Sequence, residues 1–333
     1  MTLKEKNFML FGLDPSQTSY RGIWLFFGVY AGATLLGAIL TPPVYWGFHH
    51  FWPDMPEWLA RKRVDVFFDR IRWVPIVAGI PVLIKVCGLA SLANIGLSFT
   101  AANLRHFAKY ALAGAGIASA VYCAQIAFAN VSYRPMEAEG FADAVSTVLV
   151  SWFLGALLVA LLEEVVFRAL IFRCIYTGLG MLWAVALTSA FFAYKHFHVP
   201  SSIWNNIPGD GKVAEWYTGF IVAWYDTVGV FMNWDTVMFL ALFMFGAVLS
   251  MIYVRTKVLW GPIGFHTGIV FAMFAYKSNV KLDFTPEQTF LFGGANPSSG
   301  LMSVILLSLM LAFLLLRRDN GAKRLKDAPG RGA

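Results

Sequence analysis

Long apolar runs separated by shorter polar stretches dominate the pattern along the chain. A membrane-spanning helix needs about 20 mostly apolar residues, and by this measure the sequence contains about eight spans. They are predicted at residues 23–48, 73–93, 107–129, 144–176, 181–198, 236–254, 258–276 and 301–316. The pattern therefore predicts an all-α, polytopic membrane protein with about eight transmembrane helices.

Two of the connections between these runs carry further information. Residues 49–72 place apolar side chains at helical spacing between charges, which favours a helix lying on the membrane surface. Residues 199–235 are too long for a simple turn and are rich in Trp and Tyr, as interfacial or re-entrant segments are.

Composition supports the membrane assignment. Of the 333 residues, 58% are hydrophobic and only 14% are charged, too few for the surface of a soluble protein of this size. We find no internal repeat and no second domain, so residues 1–333 are predicted to form a single integral membrane domain. The net charge is +7, and residues 317–333 are predicted to be a flexible, basic cytoplasmic tail. No nucleic-acid-binding motif is visible, so the charge indicates lipid headgroups, not nucleic acid, as the partner.

Three charged residues interrupt the fourth apolar run, in the stretch LLEEVVFRALIFR. A charge at the centre of a bilayer costs about 2.5–3.5 kcal/mol on insertion scales, so three together indicate a functional site. Glu164 and Arg168 are four residues apart, share a helix face and can form an ion pair. Glu163 lies about 100° around the helix and needs a partner from another helix.

Histidines in two other apolar runs are the candidate partners of Glu163. His196 lies near the end of the fifth run, one helical turn after Phe192, and His266 lies in the seventh run. The rise of a helix places Glu163 and His196 roughly 18–24 Å, and His266 roughly 13 Å, from the same membrane face. With a tilt of the seventh span to close the remaining gap in depth, the three side chains can meet in the middle of the bundle.

A carboxylate and two imidazoles in a membrane cavity have a definite chemistry. A buried Glu can act as general base on a water molecule, with a His sharing the proton. A second His, or an amide, can stabilise the oxyanion that forms when water attacks a carbonyl. Arg168 would fix Glu164, which then orients the site. These residues indicate hydrolysis of an amide bond inside the membrane.

Other interpretations of the same residues stay open. Glu164 and Arg168 can be an ion pair that only fixes helix packing, His196 an interfacial residue and His266 a packing residue. A zinc site formed by Glu163, His196 and His266 is another alternative, although the sequence has no His-Glu-x-x-His motif. A transporter lined by buried charges would place polar residues at different depths in several helices. Here they concentrate in three helices at similar depth.

Two neighbours of His196 have simpler interpretations. Lys195 is expected to extend its amine to the membrane surface. His198 lies about 160° around the helix from His196 and is expected to be interfacial.

At this point the residues resemble a known family, the CAAX prenyl protease and bacteriocin-processing (CPBP or Abi) family of intramembrane glutamic endopeptidases. Its motifs are Glu-Glu-x-x-x-Arg, then Phe-x-x-x-His, then a His followed four residues later by Asn or a similar residue. The chain matches the first two fully and the third in part, with Glu163, Glu164 and Arg168, with Phe192 and His196, and with His266. The position four after His266 is Val270, whose side chain cannot donate a hydrogen bond. The motif-bearing core covers about residues 144–276.

The resemblance implies a peptidase that needs neither a metal nor a cofactor. It implies that Glu163 is the general base, that His196 helps to activate the water, and that His266 contacts the oxyanion. Phe192 is expected to contact the substrate. Because Val270 replaces the usual Asn, the oxyanion would depend on His266 alone or on a nearby donor such as Thr267.

The expected partners are the lipid bilayer and a membrane-associated peptide or protein substrate. A prenylated C-terminal peptide is the best-known target of the family, but nothing in the sequence indicates a prenyl group. A non-proteolytic binding or immunity protein of the same family is the main alternative. We expect a multi-pass protein of the cell inner (plasma) membrane with both termini in the cytoplasm, and we expect residues 199–235 to gate entry to the site.

Overall fold

Helices form nearly all of the regular structure. The computed structural model describes residues 21–86, 93, 95–136, 139–197, 212–232 and 234–316. Its helices are α1 (Arg21–Phe51), α2 (Glu57–Ala60), α3 (Val64–Val86), α4 (Ala101–Phe128), α5 (Phe141–Leu179), α6 (Met181–Lys195), α7 (Thr218–Met232), α8 (Thr236–Thr256), α9 (Trp260–Lys277), α10 (Pro286–Phe292) and α11 (Leu301–Leu316). Two short strands, β1 (Val131–Tyr133) and β2 (Val280–Leu282), pair antiparallel with Val131 opposite Leu282, a ribbon that the hydropathy pattern did not predict.

Within the described residues, four helices are long and apolar enough to cross a membrane. They are Trp24–Phe51 of α1, Ala101–Phe128 (α4), Phe141–Leu179 (α5) and Thr236–Thr256 (α8). The predicted runs at 181–198 and 301–316 correspond to the shorter apolar helices α6 and α11. The remaining two correspond to α3, which carries several charges, and to α9, which contains three glycines, a histidine and a terminal lysine. The structure thus supports a mostly helical protein with several apolar helices but not a count of eight spans.

Two connections differ from their predictions. Residues 49–72 do not form a separate surface helix, because α2 has only four residues and α3 begins at Val64. Two apolar residues of this segment, Phe67 and Phe68, are buried against α1 and α7. In the segment 199–235, residues 199–211 and 233 lie outside the described residues, and residues 218–232 form α7. Its Val222 is buried, and a Cβ atom at Gly219 would overlap the carbonyl of Ala38 in α1. Phe67, Phe68 and Val222 therefore pack against protein, whereas Trp58 and Trp224 in the same two segments are largely exposed.

The buried apolar residues form two large clusters. The larger one joins residues of α4, α5, α6, α8, α9 and α11, together with one end of α1 and of α3. The second joins α1, α3 and α7, and its fully buried members are Ala38, Tyr45, Val64, Phe67, Phe68 and Val222. Arg72 of α3 and Asp226 of α7 line a cavity that also borders the larger cluster at Phe26 and Phe167.

Close contact between α4 and α9 fixes the position of His266. A Cβ atom at Gly264 would overlap the carbonyl of Phe107, and one at Gly268 would overlap the carbonyl of Ala111. Small residues let two helix backbones approach in this way. His266 lies midway between these glycines along the helix and so points away from α4.

Helix α5 departs from α-helical hydrogen bonding in two stretches. Wide, π-helical turns occupy Thr147–Leu154 and Val165–Phe172. The second stretch begins directly after Glu164, contains Arg168, and has all of its residues buried. Single π-helical turns inside α-helices occur frequently at functional sites. The irregularity therefore coincides with the three charges of the fourth apolar run.

Candidate active site

Three helices bring the charged and imidazole side chains together. α5 supplies Glu163, Glu164 and Arg168; His196 is the residue directly after α6; and His266 lies in the buried first half of α9. The structure thus places the residues singled out in the sequence around one point. The predicted fifth run extends to residue 198, but α6 ends at Lys195, and His198 lies outside the described residues.

Glu164 is the centre of a fully buried set of charges. The Glu164 and Arg168 side chains are each 0% exposed, and Arg168 Nη1 donates to Glu164 Oε1 at 2.9 Å. The same carboxylate oxygen is 2.9 Å from His266 Nδ1. Arg168 Nη2 donates to the main-chain carbonyl of Gly246 in α8 at 3.2 Å. Glu164 and Arg168 thus each have partners on two helices.

Glu163 points to a different place, as its position on the helix requires. Its side chain is 24% exposed, and its Oε2 lies 3.9 Å from His196 Nε2 and 4.0 Å from His266 Nε2. Both distances exceed the roughly 2.9 Å of a direct hydrogen bond, but a single water molecule can contact both ends of such a gap. Two imidazoles from different helices therefore face one carboxylate oxygen.

The hydrogen bonds of the two rings determine which nitrogen faces Glu163. His196 Nδ1 lies 2.8 Å from the carbonyl oxygen of Phe192, and a carbonyl only accepts, so Nδ1 carries the proton. His266 Nδ1 lies against a carboxylate that is paired with arginine, so this nitrogen also donates. In both rings Nε2 is left to face Glu163.

Phe192 lies underneath the site. It is fully buried, its ring centroid is 4.3 Å from that of His196, and Arg168 Cζ lies 5.0 Å above its face. Contacts of this kind add a cation–π term and leave the histidine ring few alternative positions. Phe192 also packs against Phe167 and Phe245, and, like His266, it is not among the residues that line the cavity described next.

A cavity of about 260 Å³ opens beside Glu163 and His196. One part of its wall is apolar and largely aromatic, and consists of Phe26, Trp73, Ile76, Val166, Phe167, Phe191 and Phe197. The other part is charged and consists of Tyr30, Asp69, Arg72, Lys195 and Asp226. The site therefore adjoins a space with both an apolar and a polar side.

The charged wall forms one hydrogen-bonded network. Arg72 contacts Asp226 in α7 and donates to Asp69 Oδ1 at 2.6 Å. Lys195 Nζ donates to the Tyr30 hydroxyl at 2.6 Å and lies 3.4 Å from Asp226 Oδ2. The expectation that Lys195 extends to the membrane surface is therefore wrong, because its partners in α1 and α7 hold it inside the cavity.

Sequence reasoning missed this network and the carbonyl of Gly246. Lys195 and Asp226 are charged residues within apolar stretches. A charge in an apolar stretch is also what identified Glu163, so the sequence could have predicted an ion pair between Lys195 and Asp226. Arg72 was assigned to a surface segment. A main-chain carbonyl gives no signal in a sequence.

The structure offers no side-chain amide one turn after His266, where the family motif has Asn and this chain has Val270. Val270 is buried, one turn after His266 on α9. Thr267, the alternative donor, is buried too, and its hydroxyl has no hydrogen-bond partner among the described residues. Within the same residues, no group of three or more His, Cys, Asp or Glu side chains has a geometry that could hold a metal ion.

The fold and a match to a known protein family both bear on the identity of this site. Several apolar helices enclose a polar site, which defines the class: a multi-pass membrane protein with an embedded site. Residues 145–272 match a family model described as type II CAAX prenyl endopeptidase Rce1-like. The match confirms the resemblance to the CAAX protease family, which is a family of proteases, and it supports a peptidase. No curated protein and no solved structure matches the chain.

Every candidate catalytic residue falls inside the matched range, and so does Gly246. α1 and α3, which supply much of the cavity wall, fall outside it.

Proposed function

We propose that the chain is an intramembrane glutamic endopeptidase that hydrolyses a peptide bond of a membrane-associated peptide or protein. The observation that carries the proposal is the position of Glu163 Oε2, which faces the Nε2 atoms of His196 and His266 at 3.9 and 4.0 Å beside a cavity. A carboxylate in this position can act as a general base, with His196 to share its water and His266 to donate to the oxyanion.

The first step is attack by water. A water molecule between Glu163 and His196 gives a proton to the Glu163 carboxylate while its oxygen bonds to the scissile carbonyl carbon. His196 Nε2 accepts the second hydrogen of the water as a hydrogen bond, because its Nδ1 is committed to the Phe192 carbonyl. In the second step, Glu163 returns the proton to the leaving amine, and the carbon–nitrogen bond breaks.

His266 is the group that contacts the oxyanion in this proposal. To donate from Nε2 while Nδ1 donates to Glu164, the ring must carry two protons. The ion set then contains Arg168 and His266 as cations and Glu163 and Glu164 as anions, so the buried charges balance. A carboxylate that orients an imidazole and stabilises its charged form is an established catalytic arrangement.

The Glu164–Arg168 pair acts on the reaction only through His266. Both side chains are fully buried, and neither lines the cavity. We assign Phe192 the same kind of role, since it packs under His196 and Arg168. These three are positioning residues.

The cavity favours a substrate with both apolar and polar parts. The aromatic wall suits an apolar side chain or a lipid group, and the neutral network of two aspartates and two cations offers hydrogen bonds to a peptide backbone.

We place the protein in the cell inner membrane with both termini in the cytoplasm; the termini and residues 317–333 lie outside the described residues. The gating role of residues 199–235 stays a prediction, to be tested by deleting residues 200–210 and measuring turnover.

The direct test is the cleavage of a fluorogenic peptide that ends in a farnesylated Cys-a-a-X sequence, with its unprenylated counterpart beside it. We expect Glu163→Gln to lower kcat by about 10²-fold or more. The matched control is Glu139→Gln, an exposed glutamate near the start of the same helix, which should leave kcat unchanged. Wild-type turnover in Glu163→Gln would refute the proposal.

Two further measurements separate the alternatives. Preincubation with 1,10-phenanthroline should leave turnover unchanged, whereas a zinc site of Glu163, His196 and His266 would lose it. Analysis of protein termini in cells with wild type and with Glu163→Gln should show substrates cut only by wild type. Equal termini together with equal phenotypes would favour a protein that binds its partner without cutting it.

A further inference from the structure

Helix α8 contributes a group to the site that none of the sequence motifs includes. Arg168 is fully buried, and its two terminal nitrogens have different partners. Nη1 donates to Glu164 Oε1 at 2.9 Å, and Nη2 donates to the Gly246 carbonyl at 3.2 Å. Glu164 is on the same helix as Arg168, so the bond to Gly246 holds the guanidinium to a second helix.

The absence of a side chain at Gly246 brings this carbonyl within reach. A Cβ atom there would lie 3.0 Å from Ser189 Cα and 3.1 Å from Ser189 Cβ, closer than ordinary contact. α8 and α6 therefore touch nearly backbone to backbone at this point. The carbonyl of Gly246 also accepts the regular helical hydrogen bond, and its second lone pair is free for Arg168.

We propose that Gly246 is a positioning residue for the peptidase reaction. Its carbonyl fixes the plane of the Arg168 guanidinium, which orients the Glu164 carboxylate, which in turn holds His266 Nδ1 at 2.9 Å so that Nε2 faces Glu163. A planar guanidinium bound at two nitrogens has one orientation, whereas one bound at a single nitrogen can rotate about that bond. The inference rests on the proposed function, since it assigns His266 a part in the reaction.

The first test is steric. Gly246→Ala would push α8 from α6 and lengthen the bond to Arg168, and we expect kcat to fall by roughly tenfold or more. KM should stay the same, because Gly246 does not line the cavity. Ser189→Gly in the Gly246→Ala background removes the side-chain atoms that the new methyl group meets, and it should restore part of kcat.

The control is Gly261→Ala in α9. Its new methyl group would meet Ile252 Cγ2 and Thr256 Cγ2 of α8, each at 2.9 Å, a similarly close contact with the same helix. Since Gly261 has no bond to Arg168, this variant should lower the melting temperature without the selective loss of kcat. An equal loss of kcat per degree of melting temperature in both variants would overturn the inference.

The second test adds no atoms and so does not depend on whether Gly246→Ala folds. Replacing Ala247 with lactic acid during synthesis converts the peptide bond after Gly246 into an ester, whose carbonyl is a weaker acceptor. We expect a fall in kcat of at least about fivefold. The control replaces Val248 with its hydroxy acid, which weakens the Ala247 carbonyl and costs the helix the same number of hydrogen bonds.

The outcomes separate this inference from the proposed function. Full activity in Glu163→Gln would refute the proposed function whatever the esters do. If Glu163→Gln is inactive and the two esters have equal kcat, the proposed function stands and the role of Gly246 is refuted. A selective loss in the ester after Gly246 supports the positioning role.

Discussion

Replacing Arg168 with methionine tests whether the charges at the centre of α5 are as deeply buried as the structure shows. Both side chains of the Glu164–Arg168 pair are 0% exposed. Removing one partner of such a pair costs about 3–5 kcal/mol of unfolding free energy, because the remaining buried charge loses its closest counter-charge on the same helix. Arg168→Met should therefore destabilise the protein by about this amount, and Glu164→Gln should cost a similar amount because it leaves the arginine unpaired.

The double variant has a different expectation. In Glu164→Gln/Arg168→Met no charge of the pair remains, and replacing a whole buried pair with neutral groups is often nearly neutral in stability. The two single changes should therefore be non-additive, with a coupling free energy of at least about 3 kcal/mol. Activity should stay lost in the double variant, because neither remaining side chain orients His266 as a charged pair does.

The measurement is SDS-driven unfolding in mixed micelles, followed by tryptophan fluorescence, for the wild type, both single variants and the double variant. Turnover of the farnesylated fluorogenic peptide is measured on the same samples. Additive single effects, or a cost below about 1 kcal/mol for each, would show that water reaches the pair. Recovered turnover in the double variant would show that the pair stabilises the fold and takes no part in orienting the site.

Three further predictions follow from other parts of the structure. Val270→Asn places an amide one turn after His266 and should raise kcat by up to about tenfold; a lower melting temperature without any rise in kcat would locate the oxyanion contact elsewhere. Gly268→Ala forces a methyl group against the carbonyl of Ala111, so thermal unfolding should show a loss of about 1–3 kcal/mol, and an unchanged melting temperature would disprove the close contact of α4 and α9. Asp226→Asn removes a carboxylate shared by two cations at the cavity wall and should change KM more than kcat; peptide titrations that show the reverse would contradict its assignment to the substrate side.

Much of the candidate site could be inferred from the sequence because charges in apolar helices are rare and need partners. Helical periodicity separated the direction of Glu163 from that of Glu164, and the structure shows them facing different partners. Distances along the helices predicted that Glu163, His196 and His266 can meet, and the structure brings these side chains together. Their catalytic roles stay predictions until the variants are measured.

The rest was hidden for physical reasons. Hydropathy cannot distinguish a helix buried in protein from one that faces lipid, and α9 is shielded by its neighbours while carrying glycines and His266. For the same reason the sequence did not predict α7, which lies in the segment 199–235; the length and aromatic content of that segment indicated only an interfacial or re-entrant connection. The bond from Arg168 to the Gly246 carbonyl depends on a contact between distant helices, which no local pattern records.

The cavity wall is built from two parts of the chain, one inside and one outside the range that matches the family model, and this affects how its substrate selectivity can evolve. Glu163 and His196 come from the part of the chain that matches the family model, whereas Tyr30, Trp73 and Ile76 come from the preceding helices α1 and α3. If the proposed function holds, mutations in those two helices can alter which peptides fit without touching the groups proposed to break the bond. Selectivity and chemistry can then evolve at separate rates, so two relatives with the same catalytic residues need not share a target.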